Sequence, residues 1–153
     1  MSTYDEIQED DLVKWRKLAE NVGLNFFYEH HPKKNWFKNL NDETSDFDNI
    51  IRMADPFLKN GAKMLVLDHE EFELQNNLGK LNYENIIEYY GKENICFEVT
   101  SPKEGNDRWL YDLKKYFKLF GTDINVCNIM PSQILLINSL RNNPNLEIEP
   151  KRL

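Results

Sequence analysis

No run of 18 apolar residues occurs in these 153 residues, so nothing reads as a membrane span. Lys and Arg never stand more than two together, and the formal net charge is −7. Nucleic acid and anionic membranes are held by clustered positive charge, so neither is an expected partner. A small anionic metabolite remains a partner class, provided local basic groups overcome a repulsive overall field. Cysteine is scarce. Cys96 and Cys127 each sit in an apolar run, which predicts buried thiols in a reducing compartment. No C-x-x-C spacing points to a cysteine-based metal site. The start, MSTYDEIQEDD, lacks the charged-then-apolar order of a signal peptide, so the expected location is cytoplasmic. P-loop, G-x-G-x-x-G and nucleophile-elbow patterns are missing as well.

What is present is an alternation of amphipathic stretches with short apolar runs. Leu12, Trp15, Leu18 and Ala19 fall on one helical face within 9–22. Four apolar runs predict strands: NFFY (25–28), MLVL (64–67), ICFEV (95–99) and INVCNI (124–129). Further helices are expected over 47–60, 83–90, 106–120 and 131–141, with a kink or boundary at Pro56. Glycines 23, 61, 91 and 121 stand between each helix and the next strand, where a C-terminal cap belongs. The order α-β-α-β-α-β-α-β-α, with nearly all-apolar strands, predicts an α/β fold with four parallel strands. The chain reads as one domain over 1–153, with 142–153 as a frayed tail.

Working residues of parallel α/β folds sit at the C-terminal strand ends. Acids stand at or near three of those ends: Glu29, Asp68 and Glu98. Strand four carries Asn125 and Asn128. Hard carboxylates gathered on one rim suit Mg²⁺, which prefers oxygen ligands. The bland alternative is that each acid is a helix cap or a solvated loop residue. Lys33, after strand one, is a general base if burial lowers its pKa, and otherwise an ordinary loop lysine. His30, His31 and His69 lack the spacing of a zinc pair.

These segments resemble the phosphosulfolactate synthase family, in order and spacing, from the first helix to Arg141. A family strand followed by E-V-G-x-K is similar to Glu29-His30-His31-Pro32-Lys33. "GA, apolar run, E-x-R-E" resembles Gly61-Ala62, MLVL and Asp68-His69-Glu70-Glu71. "FEAP" resembles Phe97-Glu98-Val99-Thr100, and "FG, two residues, V-N-L-x-N-I" resembles Phe120-Gly121 followed by Ile124-Asn125-Val126-Cys127-Asn128-Ile129. The family's "LE-x-LR" is similar to Ile137-Asn138-Ser139-Leu140-Arg141.

The resemblance implies a lyase that adds sulfite to phosphoenolpyruvate with Mg²⁺. It makes Lys33 the catalytic lysine and Glu29, Asp68 and Glu98 the metal-holding acids. Asn125, Asn128 and Arg141 become substrate-binding groups. It further implies the second half of a (β/α)8 barrel, which pairs with a second copy or with another half-barrel chain, or else opens into a flat sheet covered by helices. Glu70 stands where the family has arginine, Asn142-Asn143-Pro144-Asn145 occupies the region of its second arginine, Asn138 stands where it has glutamate and His31 where it has glycine. Two lost anion-binding groups amount to about 10²–10⁴ in affinity. The expectation is therefore a diverged protein with weakened or lost catalysis, a pseudoenzyme acting in binding or stress, with the Mg²⁺-dependent lyase as the alternative.

Overall fold

The computed structural model describes residues 9–30, 46–68, 81–101 and 108–147. Within the described residues helices and strands alternate, and the strands form parallel pairs, so the fold is α/β. The chain divides into two compact units, Met1–Ile95 and Cys96–Leu153.

The first unit holds α1 (Glu9–Asn21), β1 (Tyr28–His30), α2 (Asp46–Lys59), β2 (Leu65–Leu67) and α3 (Leu81–Tyr90). β1 and β2 run parallel, with Tyr28 opposite Leu65, Glu29 opposite Val66 and His30 opposite Leu67. Side chains alternate between the faces of a sheet. Tyr28, His30, Leu65 and Leu67 therefore share one face, and all four are buried. Helix α2 covers that face. The Tyr28 ring stacks on Phe57 at 4.2 Å between centroids, and Ile50 and Ala54 are fully buried.

Two expectations need correction here. The first strand begins at Tyr28, not at Asn25, and Phe27 is 52% exposed. Register with β2, rather than the apolar run, sets that boundary. Trp15 and Leu18 are 47% and 66% exposed, so the inward face of α1 is narrower than its spacing implies, with Leu12 buried. Helix α2 runs through Pro56 and ends at Lys59, one residue short of the expected end. Pro56 is exposed, so the carbonyl that loses its N–H donor falls on the wet side of the helix, where water replaces it. Asn60 donates to the Pro56 carbonyl from both its backbone N (3.1 Å) and Nδ2 (2.8 Å). Gly61 then takes φ 98°, a conformation costly for any residue with a Cβ; a Cβ there would also meet Arg16 Cδ at 3.0 Å.

The second unit continues β3 (Ile95–Glu98), which starts at the last residue of the first unit, through α4 (Arg108–Phe120), β4 (Asn125–Cys127) and α5 (Ile134–Asn142). A single 3₁₀ turn, Pro131–Gln133, leads into α5. β3 and β4 are parallel, with Cys96 opposite Asn125, Phe97 opposite Val126 and Glu98 opposite Cys127. α4 carries Trp109, Leu113, Tyr116, Phe117 and Phe120 at helical spacing, all buried. Phe97 lies between two of them, with ring centroids 5.0 Å from Phe120 and 5.2 Å from Tyr116. Beyond α5 the backbone N–H of Leu146 donates to the Asn143 carbonyl, and Lys114 Nζ reaches the Leu146 carbonyl at 3.0 Å.

One polar cluster ties α2 to α3. Asp55 accepts hydrogen bonds from Lys59 Nζ (2.6 Å), Tyr90 Oη (2.8 Å) and Tyr89 Oη (3.4 Å). Burial pushes the Asp55 carboxyl up, but the bonds from Lys59 and Tyr90 outweigh it and hold the group below its ordinary 3.8. A carboxyl lowered on folding adds stability above its unfolded pKa, and that stability is lost as pH falls through the folded value. Urea unfolding should therefore show wild-type stability dropping below about pH 4, with a shallower drop in Asp55→Asn. Parallel pH profiles for the two proteins would contradict the assignment.

Candidate functional site

In both units helices cover one face of the strand pair, and the acids stand on the other. In the first unit Glu29 shares its face with Val66 and, two residues on, Asp68. Glu29 is exposed, while Asp68 is only 7% exposed. Their carboxylate oxygens lie within 4.8 Å of one another. Two such charges repel by about 1 kcal/mol in water and by about 3–4 kcal/mol at an effective dielectric of 20. A cation between them turns that repulsion into attraction. His30 falls on the opposite, helix-covered face, where its Nδ1 lies 3.2 Å from Tyr28 Oη. Strand alternation thus separates His30 from Glu29 although they are adjacent in sequence.

In the second unit the uncovered face carries Cys96, Glu98, Asn125 and Cys127. Glu98 is half-buried, and its backbone carbonyl accepts a hydrogen bond from Tyr116 Oη at 3.0 Å. The Cys127 thiol hydrogen-bonds to Cys96 and lowers the Cys96 pKa from its ordinary 9.0, against burial and the Glu98 charge, which raise it. Neither cysteine is in a disulfide.

The other expected site residues fall in different places. Asn128 follows β4 with φ 62°, a left-handed conformation that asparagine tolerates better than most residues. Its Nδ2 donates to the Val99 carbonyl at 2.9 Å, tying the exit of β4 to the exit of β3. Asn125 is level with Cys96, at the start of β4. Arg141 donates Nη1 to the Thr122 carbonyl and Nη2 to the Ile124 carbonyl (2.9 Å), with its guanidinium 5.3 Å from the Phe117 ring centre. Those carbonyls precede β4, so Arg141 clamps the end of the strand away from the C-terminal rim. Lys33, and with it His31 and Glu70, lies outside the described residues.

One positioning residue escaped the sequence reading. Asp112, buried on α4, accepts from the Thr100 backbone N (3.1 Å) and from Thr100 Oγ1 (2.6 Å) through the same oxygen. Arg108 Nε stands 3.5 Å from its other oxygen. The chain just past Glu98 is thereby pinned to the helix. A signal was available: Asp112 interrupts the apolar stripe formed by Trp109, Leu113 and Tyr116. An acid on a buried stripe needs a partner.

Removing that partner should be costly. Asp112→Ala leaves two donors of Thr100 without their acceptor, and unfolding in urea should show a loss of about 2–4 kcal/mol. Asp112→Asn, which keeps a side-chain acceptor, should recover part of it. A loss no larger than that of an exposed acid would show that the contact holds nothing in place.

Among the described residues no helix is long and apolar enough to cross a membrane. No curated protein matches this chain. A family model does: that of (2R)-phospho-3-sulfolactate synthase (ComA), over residues 1–145. The match runs through both parallel strand pairs and through every acid of the uncovered faces, and the chain belongs to the (2R)-phospho-3-sulfolactate synthase family.

Proposed function

We propose that this chain is a diverged phosphosulfolactate synthase-like protein that keeps an acidic site for a divalent cation and a small anionic metabolite, with the addition chemistry weakened or lost. The observation that carries this reading is the Glu29–Asp68 pair, two carboxylates within 4.8 Å on the face left open by the helices. In the second unit Glu98 stands on the face that α4 leaves open. Carboxylate oxygens without imidazole are a donor set that fits Mg²⁺. Mg²⁺, when bound, polarises substrate carboxylate or phosphate oxygens. Glu29 and Asp68 would hold it in the first unit; in the second, Glu98 and Asn125 share a face and are the acid and the substrate-contacting amide that the family resemblance implies. Lys33 Nζ would carry the proton if catalysis persists. Asn128 shapes the rim through Val99, and Arg141 is left out of the site because it holds the other end of β4.

Loss of catalysis is supported by the charge reversal at Glu70 and the missing glutamate at Asn138. The retained lyase, adding sulfite to phosphoenolpyruvate, is the second reading. Its support is the family match across Glu29, Lys33, Asp68 and Glu98 together. The architecture proposed is a half-barrel, completed by a second copy or another half-barrel chain. The exposed apolar side chains Trp15, Leu18, Val22, Leu24 and Phe27 support a surface of the first unit that a second copy covers.

Calorimetric titration should show Mg²⁺ binding, followed by phosphoenolpyruvate binding that depends on Mg²⁺. Asp68→Asn should weaken Mg²⁺ by about 10–100-fold, the worth of one charge-assisted contact. No Mg²⁺ heat at millimolar concentration would sink the site. Sulfite-dependent consumption of phosphoenolpyruvate, abolished in Lys33→Ala, would replace the first reading by the second. Solution mass should correspond to twice the chain, and Leu18→Glu together with Phe27→Glu should reduce it to one. A wild-type monomer would rule out pairing with a second copy.

A further inference from the structure

We propose that Cys96 and Cys127 form an oxidation site, a dithiol that closes reversibly to a disulfide between β3 and β4 when it meets a small-molecule disulfide such as oxidised glutathione. The inference uses no bound ion, and its two thiols share a face with Glu98, with Cys127 directly opposite that residue. In the sequence the two cysteines are separated by a whole helix. The parallel register brings them to one face: Cys96 is opposite Asn125 and Cys127 opposite Glu98, so they are diagonal neighbours on adjacent strands. Both side chains point to the face opposite Phe97, and neither thiol is in a disulfide. Helix α4 covers the other face, where Phe97 packs, so no aromatic ring of α4 separates the two sulfurs.

Burial sets the order of events. Cys96 is 8% exposed and Cys127 is half-exposed. Cys127, as thiolate, attacks one sulfur of the oxidant, forming a mixed disulfide and releasing one thiolate. Cys96, as thiolate, then attacks the Cys127 sulfur, forming the Cys96–Cys127 bond and releasing the second thiolate. The protein loses two hydrogens and two electrons, and the disulfide reagent becomes two thiols. Diagonal positions on neighbouring strands, about 7–8 Å apart, lie just beyond ordinary disulfide reach. Closing the bond therefore requires a local shift of β4, a strand of three residues with all three only partly buried. A bridge made under such strain has a high potential and is readily reduced, which suits a switch better than a staple.

The test is native incubation with oxidised glutathione, followed by acid quenching, intact mass and peptide mapping. Wild type should lose two hydrogens and yield one cross-linked peptide pair joining Cys96 to Cys127, and reduced glutathione should reverse it. Cys96→Ser should instead retain one glutathione on Cys127. Cys127→Ser should react at Cys96 at least about tenfold more slowly than wild type, because the more accessible thiol is gone. Far-ultraviolet circular dichroism of each variant should match wild type, and the wild-type mass alone decides the matter if a variant fails to fold. Wild type that stops at a stable glutathione adduct, cross-links between molecules, or reacts only in denaturant would overturn the proposal.

Discussion

The period of two along a β-strand is the constraint on which the rest depends. It assigns every second side chain to the helix-covered face and the rest to the open one. Tyr28, His30, Leu65 and Leu67 go inward under α2, and Phe97 goes inward under α4. Glu29, Asp68, Cys96, Glu98 and Cys127 are left on open faces by the same rule. A one-residue slip in either pair would bury the acids against the helices and expose the aromatics. Packing and chemistry are therefore set by one choice of register. Phe97 illustrates the energetic side: burying a phenylalanine fully is worth about 1.5–3 kcal/mol, enough to fix β3 against α4.

Around that frame, polar groups hold the strand ends. Asp112 fastens Thr100, Asn128 fastens Val99, and Tyr116 fastens the Glu98 carbonyl, so the chain around Glu98 is held on several sides. Arg141 does the same at the entrance of β4. These bonds to backbone are what a precisely held carboxylate needs, because a ligand on a loose strand end loses orientation as well as affinity. The chain belongs to the phosphosulfolactate synthase family, and these contacts hold the strand ends on which its acids stand.

The open face of the second unit holds more than one kind of chemistry. A hard carboxylate, Glu98, shares it with two thiols. Oxygen and sulfur ligands favour different partners, hard cations for the first and redox reagents or soft metals for the second. Their adjacency follows from the same alternation, since Cys96 and Glu98 are two residues apart on one strand.

The sequence by itself determined the order of helices and strands, because spacing of apolar residues and the glycines after each helix are local signals. It also marked Glu29, Asp68 and Glu98 as the acids that follow or end apolar runs, and it carried the family resemblance. It could not set where β1 begins, since Phe26 and Phe27 are as apolar as Tyr28 and only pairing with Leu65 distinguishes them. Nor could it see that Arg141 faces backbone carbonyls before β4, that Asp112 reaches Thr100 twelve residues back, or that Cys96 and Cys127 share one face of a strand pair. Those are meetings between residues far apart in the chain. Only register and helix packing bring them together, and neither is written in any local stretch of sequence.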